Sequence, residues 1–263
     1  MKIGELVQIV EKVYPHESMY DFDNSGCNVV DKNETISNIL VTLDINLRAI
    51  SLAVANKCNL IVSHHPLTFN PIKNLNDEVN SKIIKSLIKN NINAYSVHTN
   101  FDTNEKYGMG KLFVDTLFAK SECSNSGYVE TRIIDGKKYV LGNIVSIKAK
   151  LKFVDILTKF KKKFAVDDSK LSYYDVSDGK NIKKLIVIPG SGAGEVDAII
   201  NQKPDILITS DLRHNQIQDL VESDISYING THYGTEKIFI DYMAKFLKAK
   251  IGVPIYKFYD IRL

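Results

Sequence analysis

Two hydrophobic periods alternate along this chain. Short continuous apolar runs give way to longer stretches in which apolar residues recur every third or fourth position. The runs predict strands buried on both faces, and the longer period predicts amphipathic helices. SNILVTLDI (37–45), CNLIVSHH (58–65) and NINAYSVHT (91–99) are the first three predicted strands. NLRAISLAVANK (46–57), NDEVNSKIIKSLIKNN (76–91) and GMGKLFVDTLFAK (108–120) are the predicted helices that follow them, with Asn46 a plausible N-cap. Strand and helix in strict alternation predict a parallel sheet covered on both faces.

The pattern changes after residue 120. SECSNSG (121–127) is polar and turn-rich, which places a boundary there. Asp135-Gly136 between two strand-like runs predicts a hairpin. A helix over 152–164 follows, then LSYYDV and KKLIVIPGSGAGE. Strand and helix alternate again through PDILITSD, HNQIQDLVES, DISYINGTH and TEKIFIDYMAKFLKAK, and PIYKFYD closes the chain as a strand. The expected fold is α/β, with two lobes of mostly parallel sheet flanked by helices. The second lobe, 124–227, is inserted into the first, 1–123 with 228–263, and the last helix and strand return to the first sheet.

Composition narrows the function classes. With 263 residues, 44% hydrophobic and 25% charged, the chain is an ordinary globule, and a net charge of +3 gives no electrostatic argument for nucleic acid. KFKKKF (159–164) reads as a solvated helix face. Cys27, Cys58 and Cys123 are scattered with no CxxC pair, which argues against a sulfur-based zinc site and for a reducing, cytoplasmic setting. The N-terminal MKIGELVQIVEKVYP carries helical spacing rather than the apolar core of a signal peptide, and no run is long enough to span a bilayer.

Chemistry concentrates at strand ends. His64 and His65 end one predicted strand, His98 ends the next with Asp102 four residues on, and His232 ends a later one with Glu236 four residues on. Open parallel sheets collect ligands beyond the carboxyl ends of their strands. Three such ends converging bring together imidazoles that suit Zn, Fe, Ni or Cu and carboxylates that add hard-oxygen character. That set suits two metal ions side by side and an anionic substrate. Asp44 is read evenly as a pocket residue or a helix-starting carboxylate. Asn24 and Gly26 are read as a turn, Gly26 supplying an unusual dihedral. GSGAGE is read as a tight strand-to-helix turn, because it lacks both the dinucleotide and the P-loop registers. His16 and His214 are read as surface positions.

SHHPLTF, HTNFD and GTHYGTE together resemble the signatures of the Nif-three-like family, the type 2 GTP cyclohydrolase I homologues. YDFDNSGCNV, PGSGAG and ITSDLRHNQIQD resemble further stretches of that family, so the likeness covers nearly the whole chain. The resemblance implies a dinuclear site of two divalent ions (Zn, Fe or Mn). His64 and Asp102 would hold one ion, His65 and His232 the other, and Glu236 would bridge both. It implies His98 as a pocket residue for acid–base work, and a toroidal homohexamer. Phe22 stands where the family has Trp, Thr231 replaces another small residue, and no second histidine follows His214. None of these departures touches the five implied ligands.

Two functions compete at this stage. One is a metal-dependent hydrolase that acts through a metal-bound water on a nucleotide or phosphorylated small molecule. The other is a non-catalytic metal-binding ring that serves regulation or binds a protein or nucleic acid partner.

Overall fold

The structure, a computed structural model, describes residues 1–76 and 78–260. Asp77 of the predicted helix 76–91, and residues 261–263 of the expected first lobe, lie outside the described residues. In chain order the elements are α1 (Ile3–Glu11), β1 (Gly26–Val29), β2 (Ile39–Thr42), α2 (Leu47–Ala55), β3 (Leu60–Ser63), α3 (Val79–Lys89), β4 (Asn93–Ser96), α4 (Thr99–Asp102) and α5 (Met109–Leu117). There follow β5 (Cys123–Ile134), β6 (Lys137–Ile147), α6 (Phe153–Phe164), β7 (Ser172–Tyr174), β8 (Lys184–Ser191), α7 (Val196–Gln202), β9 (Ile206–Ser210), α8 (His214–Glu222), β10 (Ser226–Gly230), α9 (His232–Glu236), α10 (Ile238–Lys248) and β11 (Ile255–Phe258).

The chain forms two compact units: Met1–Thr103 with Phe239–Leu263, and Asn104–Ile238. In the first, a five-stranded sheet runs β1-β4-β3-β2-β11, parallel except where β1 pairs with β4. β2, β3 and β4 are buried along their whole length, as continuous apolar runs between helices require. Asn46 caps α2, its side chain accepting from the amides of Arg48 and Ala49. One face of the sheet packs Leu40, Ile61 and Ala94 against Ala49, Ile50 and Ala53 of α2 and Ile83 and Leu87 of α3. The last strand returns to this sheet, β11 pairing with β2. Gly26, read as a turn residue, opens β1 at φ +112°, a region that L side chains rarely enter.

The register of this sheet decides where its chemistry falls. Thr42 pairs with Ser63 and Ser63 with Ser96, so β2, β3 and β4 end in one row. The ladder runs on past that row, with His65 N–H donating to Leu43 and Val97 N–H to Ser63. Asp44, His64, His65 and His98 therefore leave the sheet side by side at its carboxyl edge.

The second unit is built on a six-stranded sheet, β5-β6-β8-β9-β10-β7, in which only β8, β9 and β10 are mutually parallel. β5 begins at Cys123, inside the stretch read as a polar turn. An antiparallel strand with one wet face tolerates that composition, so polarity alone does not mark a loop there. Asp135 (φ 48°) and Gly136 (φ 73°) close the predicted hairpin in the left-handed conformation that a two-residue turn demands. This unit takes in α5 and α9, which the sequence reading assigns to the first lobe, and the whole of β10, of which that reading places only 228–230 there. Phe113 of α5 stacks on Phe164 of α6 at 4.2 Å, and β10 completes the parallel trio. Those contacts, rather than the polar stretch at 121–127, set the division. Here too the parallel strands end in step, Ser191 opposite Ser210 and Ser210 opposite Gly230.

Candidate metal centre

In the first unit the residues after β3 and β4 form a cluster of imidazoles. His64, His65 and His98 each offer a ligand atom, and these atoms lie within 4.8 Å of one another. The three rings sit 5.0–5.3 Å apart, centroid to centroid. His64 is fully buried, with Phe239 at 4.9 Å and Phe101 at 6.0 Å against its ring.

Each ring is held through Nδ1. That of His64 lies 2.9 Å from the Val97 carbonyl oxygen, which can only accept, so Nδ1 carries the proton. That of His65 lies 2.7 Å from Asp44, and that of His98 lies 2.9 Å from Asp23. When ionised these carboxylates also only accept, which favours the Nδ1–H form of both rings. The even reading of Asp44 resolves toward the pocket, since Asn46 holds the cap and the Asp44 carboxylate holds His65. Asp102 ends the short α4, and its Oδ1 stands 3.5 Å from His64 Nε2. A lone pair and a carboxylate oxygen facing each other repel; a cation, either proton or metal, relieves that.

In the second unit the same device recurs. His232 opens α9 just after β10, with Thr231 as N-cap accepting from Gly234 N–H. Its Nδ1 lies 2.6 Å from Asp211, and its Nε2 lies 3.0 Å from Glu236 one turn along. Asp211 follows β9 in the left-handed region at φ 59°, which Asp tolerates better than most residues. Gly190, at the end of β8 with φ +68°, lies against this pair. A Cβ there would meet Glu236 Oε1 at 2.0 Å and His232 Nε2 at 3.4 Å. The buried Glu236 carboxylate thus lies against bare backbone where no other residue fits.

The six sequence-predicted residues fall into two sets, His64, His65, His98 and Asp102 in the first unit and His232 with Glu236 in the second. Within each set the side chains meet. The donors fit a metal well: neutral imidazoles with the proton fixed on Nδ1 by a carbonyl or carboxylate, plus one carboxylate per set. Sequence reasoning missed Asp23, Asp211 and Gly190. A signal for Asp211 existed, because ILITSD ends on an aspartate as LVTLD does. Gly190 gives no signal until its neighbour is known. His16 and His214 are exposed, as expected. Cys27, Cys58 and Cys123 are free, and burial raises each thiol above its usual range. No helix among the described residues is long and apolar enough to cross a membrane.

The chain matches known proteins over its whole length. The family model described as Duf34/NIF3 (NGG1p interacting factor 3) matches residues 1–260. A Clostridium acetobutylicum protein named GTP cyclohydrolase 1 type 2 homolog is 30% identical over 260 residues, covering 96% of this chain and 93% of its own. A Helicobacter pylori protein named GTP cyclohydrolase 1 type 2 is 31% identical over 246 residues, covering 93% and 91%. Among solved structures, a Staphylococcus aureus hypothetical protein superposes with TM-score 0.85 at 23% identity, covering 99% of this chain and 97% of its own. A Bacillus cereus protein related to NIF3 gives TM-score 0.85 at 17% identity, with the same coverage.

Proposed function

We propose, from the premise that this chain belongs to the Duf34/NIF3 (NGG1p interacting factor 3) family, that it is a dinuclear metal-dependent hydrolase acting on a nucleotide or another phosphorylated small molecule. The observation that carries this reading is the common posture of four histidines. His64, His65, His98 and His232 all have Nδ1 engaged by a carbonyl or carboxylate, which reserves Nε2 for a cation or a proton in transit.

In this reading His64 and Asp102 would hold one divalent ion, His65 and His232 would hold the other, and Glu236 would serve both. The mixed imidazole and carboxylate set suits Zn, Fe or Mn. When bound, such ions supply Lewis acidity and a water acidified toward neutral pH. The remaining work belongs to the chain. Asp44 and Asp211 fix the rings of His65 and His232, and Gly190 leaves room for the Glu236 carboxylate. His98 takes and returns a proton at Nε2. The name carried by the relatives makes GTP the first substrate to try. The homohexameric ring and the cytoplasmic location belong to the same proposal, supported by the family resemblance and by the scattered free thiols.

The test is turnover of a panel of nucleoside triphosphates, GTP first, and simple phosphoesters, with and without chelator and with Zn or Mn restored. Turnover that chelator removes and that His65→Ala abolishes is the expected result. Tightly bound metal with no turnover across the panel rejects the hydrolase and leaves a metal-binding ring protein. Light scattering on the same sample checks the sixfold mass.

A further inference from the structure

Asp23, in the loop before β1, is tied by several hydrogen bonds to the residues that follow β4. Its side chain is fully buried. Oδ1 accepts from Asn24 N–H at 2.7 Å and faces His98 Nδ1 at 2.9 Å. Oδ2 accepts from Ser25 Oγ at 2.6 Å, from Thr99 N–H at 3.0 Å and from Thr99 Oγ1 at 2.5 Å.

The direction of each bond is fixed by what else its partner does. Two partners are backbone N–H groups, which only donate. The two hydroxyls already accept elsewhere, Thr99 Oγ1 from Tyr20 N–H and Ser25 Oγ from His98 N–H, so their protons point at Asp23. Four donors converge on the carboxylate before His98 is counted. The ionised form accepts from all of them, and His98 is the single partner whose proton has a choice of nitrogen.

We propose that Asp23 is a positioning residue of this site: as an ionised acceptor it confines the neutral His98 ring to the Nδ1–H form, leaving Nε2 as the atom that carries the proton in catalysis. The same carboxylate accepts from the first amide of α4, the turn that brings Asp102 to His64, so one buried group sets both the base and the neighbouring carboxylate. The catalytic consequence rests on the hydrolase reading above; the ring assignment does not.

The experiment is long-range proton–nitrogen NMR on histidine-labelled protein, metal-free and zinc-loaded, with the His98 signals assigned by their loss in His98→Gln. Wild-type His98 is expected with Nδ1 protonated and Nε2 bare. Asp23→Asn is expected to break that single form into a mixture or reverse it, while the His64 and His65 signals stay in place. Wild-type His98 protonated on Nε2 overturns the proposal, and so does an Asp23→Asn spectrum identical to wild type at His98. Should Asp23→Asn not accumulate folded, the wild-type spectrum alone decides. Correct ring assignment in a protein without chelator-sensitive turnover would retire the hydrolase reading and leave Asp23 as assigned.

Discussion

In the first unit His64 is fully buried, wedged between Phe101 and Phe239 and tied to the Val97 carbonyl. In the second, the His232 side chain is 34% exposed and its partner Asp211 48% exposed. Both sets leave the carboxyl ends of parallel strands that finish in one row, and both use an acceptor at Nδ1 to aim Nε2. The device is the same and the anchoring differs. Buried hydrogen bonds in a low dielectric hold His64 to the Val97 carbonyl and His98 to Asp23, while His65 and Asp44 are part-exposed. In the other set His232 and Asp211 face solvent, which weakens their ion pair, and backbone shape places them beside the buried Glu236: a left-handed Asp211, a capped α9 and a glycine under Glu236. Stability and metal binding should therefore be coupled at His64 and separable at Asp211.

The largest effect expected is at His64. His64→Ala opens a cavity between two aromatic rings and strands the Val97 carbonyl, which costs about 3 kcal/mol of unfolding free energy in metal-free protein. His232→Ala, which removes a part-exposed ring, is expected to cost less, about 1 kcal/mol. Denaturant unfolding in chelator measures both; equal losses would erase the contrast.

Gly190→Ala comes next. It forces a side chain into a left-handed position and into Glu236, at about 1–3 kcal/mol, and it should lower bound metal while the first-unit histidines stay in place. Elemental analysis beside the unfolding curve checks it.

Asp44→Asn and Asp211→Asn should each weaken metal affinity roughly 10–100-fold, because each loosens the ring it holds. Asp211→Asn should leave stability within about 0.5 kcal/mol, so affinity and stability part company there. Competition titration against a zinc chelator reads the affinity.

The smallest effect is a pH dependence. Burial pushes the Asp23 carboxyl up, but the hydrogen bond from His98 and the charge that ring carries once protonated in acid, with bonds from Ser25 and Thr99, outweigh it and hold the group well below the usual carboxylate range. A group whose folded value is lowered stabilises the fold above its unfolded value, about 3.9, and loses that contribution as pH falls through the folded one. Wild type should therefore lose stability in acid below about pH 4 more steeply than Asp23→Asn. Parallel acid limbs in urea unfolding would contradict the ionised, bonded carboxylate.

Much of this was legible in the sequence because it depends on local pattern. Apolar runs gave β2, β3, β4 and β9, Asn46 marked the start of α2, and Asp135-Gly136 marked the hairpin. His64, His65 and His98 were found because strand ends are where parallel sheets expose side chains. What escaped depends on meetings between distant segments. β1 is short and polar, and it is a strand only because β4 offers an open edge. Asp23 and Asp211 acquire meaning only when His98 and His232 fold against them, from 75 and 21 positions away. The division between units follows Phe113 on Phe164, a contact that no windowed reading contains.

The central claim is that the two sets together hold a pair of divalent ions. Anomalous diffraction from crystals grown with zinc or manganese tests it most directly. The account predicts two anomalous peaks per chain, one at His64 and Asp102 and one at His65 and His232, with Glu236 reaching both. No peak at these side chains, or a single ion held by residues outside the five, would contradict it.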